Sequence, residues 1–157
     1  MDIKSPEERS LNMSKIRNSN TKPEIYLRSL LHQKGLRFRI NYKDLPGKPD
    51  IYFPKKKVAI FVHGCYWHRH EDCKYAYTPK TNVEFWVNKL EKNKEHDREV
   101  VEQLHKLEIR VLTVWECTIE KMMRDDNVKE VEMENIFNFI NNSSSNNILN
   151  IQVLFGI

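Results

Sequence analysis

Leu45-Pro46-Gly47-Lys48-Pro49-Asp50-Ile51-Tyr52-Phe53-Pro54-Lys55-Lys56-Lys57-Val58-Ala59-Ile60-Phe61-Val62-His63 is the stretch on which the fold turns. Two apolar runs, 51–53 and 58–62, are split by Pro54 and three lysines, the signature of a β-hairpin with a short turn. Residues 45–49 form a rigid turn ahead of it. If Phe53 pairs with Val58, Asp50 falls opposite Phe61, within a residue or two of His63. The hairpin therefore predicts a carboxylate and an imidazole at one end of a sheet.

Upstream, 36–42 alternates apolar and polar residues, the period of a half-buried strand. Before it, Thr21 and Glu24 have capping-box spacing for a helix that carries Ile25, Leu27, Leu30 and Leu31 and stops at Gly35. Ser5, Pro6 and Glu8 open an earlier helix with Leu11, Met13 and Ile16 as its apolar stripe. Downstream, 64–80 has no periodicity and is dense in Cys, His and aromatic residues. Residues 82–106 read as a helix with Val83, Trp86, Val87 and Leu90 on one face, and with a kink or break near Asn93, where the stripe lapses until Val100. The nearly all-apolar 109–115 suits an internal strand, and 128–141 a last helix. Residues 141–147 are a polar linker, and 148–157 an edge strand or a loosely held tail. The expected architecture is one α/β domain over 1–140, with a mixed β-sheet flanked by helices, followed by a linker and tail over 141–157.

The 157 residues suffice for one core. No run approaches the roughly 18 apolar residues of a membrane span, and the first residues lack the apolar stretch of a signal peptide, so a soluble intracellular protein with no membrane partner is expected. The net charge of +4 conceals an asymmetry: residues 1–80 carry 17 Lys and Arg against 8 Asp and Glu, a balance of +9, and 81–157 carry 9 against 14, a balance of −5. A basic first half suits a polyanion such as nucleic acid; a solvated basic surface is the plainer explanation.

Three cysteines, an odd number, argue against a disulfide framework and make metal ligation the better question. Cys65, His70 and Cys73 share one loop, and Cys117 lies just beyond the apolar strand. Together they make a soft, closed tetrahedral set for a structural Zn²⁺. Spacing alone also admits His68 as the imidazole ligand. Buried hydrophobic cysteines are the plainer alternative, which explains Cys117 on its own but explains poorly two cysteines flanking a histidine in a polar loop. Asp50, at a strand end beside a neighbouring strand's backbone carbonyl, offers the hard oxygens that Mg²⁺ prefers. His63 and His68 beside it could move protons near neutral pH. Tyr66 and Trp67 in the same loop, with Trp86 in the following helix, are candidate wedges for a base stack.

Several segments resemble, in order, signatures of the very short patch repair (Vsr) DNA mismatch endonucleases. They are Arg9-Ser10-Leu11-Asn12-Met13-Ser14-Lys15-Ile16-Arg17, Thr21-Lys22-Pro23-Glu24, 45–50, Phe61-Val62-His63-Gly64-Cys65-Tyr66-Trp67-His68, Phe85-Trp86 with Lys89 and Asn93, and Val114-Trp115-Glu116-Cys117. The resemblance spans roughly 9–117 and implies a restriction-endonuclease-like fold and a Mg²⁺-dependent nick in double-stranded DNA, 5′ to the thymine of a T·G mismatch. By the same resemblance, Asp50 and the Val62 backbone carbonyl would hold Mg²⁺, and His68 would activate or position water. His63 would assist at the phosphate, and Glu24 would reach the metal through water. Tyr66, Trp67 and Trp86, with Lys89 and Asn93, would contact DNA at the mismatch, and Met13 of the N-terminal helix (1–20) would enter from the other side. Cys65, His70, Cys73 and Cys117 match the structural zinc ligands, with one extra residue between His70 and Cys73. Val62 stands where the best-known member has threonine. The resemblance also implies a functional link to a DNA cytosine methyltransferase, a monomer, and a bacterial or phage enzyme of the cytoplasm. A restriction-type nuclease of the same fold cutting matched DNA and a non-catalytic zinc-stabilised DNA-binding module are the alternatives.

Overall fold

The computed structural model describes Glu7, residues 19–142 and the strand at 148–151. The expected first helix, Met13 and the linker at 143–147 lie outside the described residues. Among the described residues, five strands form one mixed sheet in chain order: β1 (Arg39–Ile40), β2 (Ile51–Phe53), β3 (Val58–His63), β4 (Arg110–Trp115) and β5 (Ile148–Ile151). The first three are antiparallel, with Phe53 opposite Val58 and Ile51 opposite Ile60, which is the hairpin register expected from the sequence. β3–β4 and β4–β5 are parallel. Ile148–Ile151 thus forms an edge strand.

Helix α1 (Lys22–Gln33) starts at Thr21, whose hydroxyl accepts from the Glu24 N–H. The chain turns past its end through Gly35, at φ +78°. Helices α2 (Val83–Lys106), α3 (Glu116–Arg124) and α4 (Asp126–Asn141) complete the described elements. Strand periodicity sorts the core into two layers. Val58, Ile60, Leu112 and Val114 pack with α1, α3 and α4, whereas Ala59, Phe61 and Val111 pack with Val100 and Leu104 of α2. His63 continues the Ala59–Phe61 face and so points toward α2.

Several sequence expectations are corrected. The seven-residue strand at 36–42 shrinks to Arg39–Ile40, both exposed. Its partner β2 is only three residues long, and Asn41 leaves the extended region at φ +47°. Ile25 is exposed rather than part of the buried stripe; α1 buries Leu27 and Leu31 together with Glu24 and Arg28. No break occurs near Asn93, because α2 is helical throughout. Val83 and Val87 are exposed, and α2 buries Leu90, Val100 and Leu104 instead. The sequence reading did not foresee the nine-residue α3, and α4 begins at Asp126, capped by the Asp125 carboxylate.

Candidate active site and metal centre

A cavity of about 470 Å³ opens at the end of β3, lined by Glu24, Asp50, Val62, His63, His68 and Asp97 among others. Gly47 lies in its wall at φ +73°, and a Cβ there would come 2.5 Å from Val100 Cγ1, so the turn before Asp50 presses on α2 only as glycine. Asp50 Oδ2 accepts from the Val62 N–H at 2.7 Å. N–H and C=O of one strand residue point to the same side, so the Val62 carbonyl faces this side too. Burial, reinforced by the negative charge of Glu24 and opposed by the Val62 N–H, pushes the Asp50 carboxyl up to about 7. Glu24 is buried yet paired: its Oε2 accepts from Arg28 at 3.0 Å and from the Asn20 N–H at 2.9 Å. Two carboxylates facing one recess, one of them starved of positive charge, fit a hard divalent cation.

His63 and His68 stack face to face, with centroids 3.8 Å apart and planes within 5°. Burial and the proximity of His68 lower His63 to about 3, so it stays neutral through the physiological range. His68 Nδ1 lies 2.7 Å from Asp97 Oδ2 on α2. A carboxylate on Nδ1 favours the tautomer whose Nε2 is a proton acceptor. The two histidines flanking Asp50 thus differ: His63 offers a neutral N–H, and His68 has an orienting acid behind it.

Cys65, His70, Cys73 and Cys117 bring their ligand atoms within 4.8 Å of one another. His70, not His68, joins the thiols, with Nδ1 3.5 Å from Cys117 Sγ. A hydrogen bond from Cys65 draws the Cys117 thiol down to about 5, while the same contact and burial hold Cys65 protonated. A nearly dry cluster that already favours one thiolate suits a soft cation, and the three-sulfur, one-nitrogen donor set fits a tetrahedral one. The Cys65 N–H also bonds the Glu116 carboxylate, tying the loop to the start of α3. Trp115 joins the two centres: it stacks on His70 at 4.1 Å and meets His63 edge-on at 5.4 Å.

The aromatic candidates converge beside the cavity. Tyr66 meets Trp67 at 5.1 Å and Trp86 at 6.3 Å, and the two indoles are 6.2 Å apart. The Lys89 ammonium lies 5.9 Å from the Trp67 ring and 5.7 Å from that of Trp86, within cation–π range. Asn93 Nδ2 donates to the Trp67 carbonyl at 3.1 Å. Trp86, Lys89, Asn93 and Asp97 follow one another at helical spacing, so one face of α2 runs from the aromatic cluster to the cavity over about 16 Å.

Sequence reasoning missed Asp97, because a lone acid in a charged helical stretch (Glu95-His96-Asp97-Arg98) looks solvated. Its one signal was that it continues the Trp86–Asn93 spacing. Arg28, the partner of Glu24, was also missed, although its i,i+4 spacing from Glu24 was the signal for it.

The family model for the DNA mismatch endonuclease Vsr matches residues 1–75. The chain is 43% identical over 121 residues to the Type II nicking enzyme V.XorIIP of Xanthomonas oryzae pv. oryzae, covering 77% of this chain and 88% of that enzyme. It is 41% identical over 119 residues to the Type II nicking enzyme V.NmeAIP of Neisseria meningitidis, covering 76% and 84%. To the DNA mismatch endonuclease Vsr of Escherichia coli K12 it is 42% identical over 118 residues, 75% of each chain.

Proposed function

Since this chain belongs to the Vsr family and is a DNA endonuclease, we propose that it makes a Mg²⁺-dependent nick in duplex DNA, 5′ to the thymine of a T·G mismatch, in very short patch repair. The convergence of Asp50, Glu24 and the His68–Asp97 pair on one cavity carries this reading. Asp50 and the Val62 carbonyl would hold Mg²⁺, and Glu24, which lines the same cavity, would reach it through water. The ion, when bound, neutralises the phosphate oxygens that otherwise repel a nucleophile and lowers the cost of forming hydroxide.

The chain's own residues do the rest. His68, oriented by Asp97, accepts the proton of the attacking water through Nε2. His63, held neutral, donates a hydrogen bond to a phosphate oxygen without adding a titrating charge. Tyr66, Trp67 and Trp86 wedge into the stack from the major groove, with Lys89 and Asn93 beside them; by family resemblance Met13 enters from the opposite side. A T·G wobble pair stacks poorly, so opening it costs less of the few kcal/mol that wedge insertion demands, and this favours the mismatch over a matched pair.

Cys65, His70, Cys73 and Cys117 would hold Zn²⁺ as a structural clip that fixes the loop bearing both the wedge and His68. A restriction-endonuclease-like fold, with 1–140 as the endonuclease domain and 141–157 as linker and tail, completes the proposal. So do monomeric action in the cytoplasm and a functional link to a cytosine methyltransferase whose product deaminates to thymine. Among the described residues no helix is long and apolar enough to cross a membrane.

The test is a strand-labelled T·G duplex beside its T·A counterpart, each with Mg²⁺. Nicking of the T·G strand alone, lost in Asp50→Ala while DNA binding persists, is expected. Equal cutting of both duplexes would assign the site to matched DNA, and an Asp50→Ala protein with undiminished nicking would end the proposal.

A further inference from the structure

Tyr77 belongs to none of the groups above, yet it is 62% exposed and its ring lies 5.2 Å from that of Tyr66. Tyr66 is therefore the hub of four rings, touching Trp67, Trp86 and Tyr77. The segment that presents Tyr77 is held in place. Arg69 donates from Nη1 to the Ala76 carbonyl at 3.4 Å and the Tyr77 carbonyl at 3.3 Å, and from Nη2 to the Thr78 hydroxyl at 3.3 Å. Arg69 does so from a left-handed backbone, φ +53°, directly before His70 of the metal cluster.

A tyrosine buried for stability would hide its ring. This one keeps most of its surface in water while Arg69 holds the Tyr77 carbonyl and both of its chain neighbours by hydrogen bonds. A rigid aromatic with an open face, continuous with rings that carry the Lys89 ammonium over them, has the properties of a stacking platform for a nucleobase. We propose that Tyr77 is a further DNA-contacting residue: its ring packs on a base next to the opening made by Tyr66, Trp67 and Trp86, extending the wedge by one nucleotide. This rests on the reading that the aromatic cluster enters DNA.

Binding of a fluorescently labelled T·G duplex in magnesium-free buffer, followed by anisotropy, tests it with Tyr77→Ala, Tyr77→Phe and Trp67→Ala. Tyr77→Ala should weaken binding by about 5- to 100-fold, the range for loss of one stacked base. Tyr77→Phe, which keeps the ring, should stay close to wild type. Because Tyr77 is exposed, both variants should melt with the wild type. If Trp67→Ala weakens binding and Tyr77→Ala does not, the Tyr77 assignment alone is overturned. If neither does, it falls together with the wedge. Equal losses in Tyr77→Ala and Tyr77→Phe would transfer the contact to the hydroxyl and refute stacking.

Discussion

Replacing Asp97 by asparagine tests the division of labour between the two histidines. The Asp97 carboxylate sits 2.7 Å from His68 Nδ1, and both side chains are about three-quarters shielded, with 24% and 29% exposure. A charge-assisted hydrogen bond in such a setting contributes about 1.5–3 kcal/mol. Asparagine is nearly isosteric but neutral. Its amide can also turn its NH₂ toward Nδ1, which places the ring proton on Nε2 and removes the acceptor. With about 1.4 kcal/mol per tenfold in rate, the nicking step should slow by about 10- to 100-fold. DNA affinity should change little, because Asp97 lines the cavity rather than the aromatic surface. Single-turnover nicking of a strand-labelled T·G duplex gives the rate, and anisotropy in magnesium-free buffer gives the affinity. A double-mutant cycle with His68→Ala sharpens the result: if Asp97 acts through His68, the double variant should be no slower than His68→Ala alone. Wild-type nicking by Asp97→Asn, or multiplicative losses in the cycle, would refute the pairing.

Asp50 gives a pH prediction of definite sign. Its carboxyl is raised from 3.8 to about 7 by burial, so the folded protein holds a proton that the unfolded chain releases, and metal-free stability falls as pH rises from about 4 to about 7. Asp50→Asn should therefore melt higher than wild type at pH 8 in chelator-free, magnesium-free buffer, lose that advantage near pH 4, and be inactive; a lower melting point at pH 8 would contradict the burial account. Cys73→Ser should reduce tightly bound zinc below one equivalent, measured by elemental analysis, and lower the melting temperature, since a structural metal site contributes folding free energy directly. Undiminished zinc would remove Cys73 from the cluster. Trp67→Ala should narrow the rate ratio between T·G and T·A duplexes, and full preference in that variant would dismiss the wedge.

The hairpin register was legible in the sequence because a four-residue turn between two apolar runs leaves little choice of pairing, and Asp50 followed from it. The four metal-cluster residues were legible by chemical type, since soft ligands in a polar loop have few other uses. The lapse of apolar residues after Leu90 was visible but misread as a break. The helix continues because Lys89, Asn93 and Asp97 occupy the same face where it crosses the aromatic cluster and the cavity. Hydrophobic periodicity reports what faces a core and is silent where a helix faces a site.

Local chemistry along the chain thus determined the hairpin, the apolar central strand, the capped helix bearing Glu24, and the ligand and aromatic residue types. Tertiary structure alone decided that Asp97 backs His68, that Glu24 and Asp50 face one cavity, and that Tyr77 reaches Tyr66. These pairings join residues far apart along the chain or in different elements. Their energies depend on distance and desolvation, and neither quantity exists until the elements are packed together.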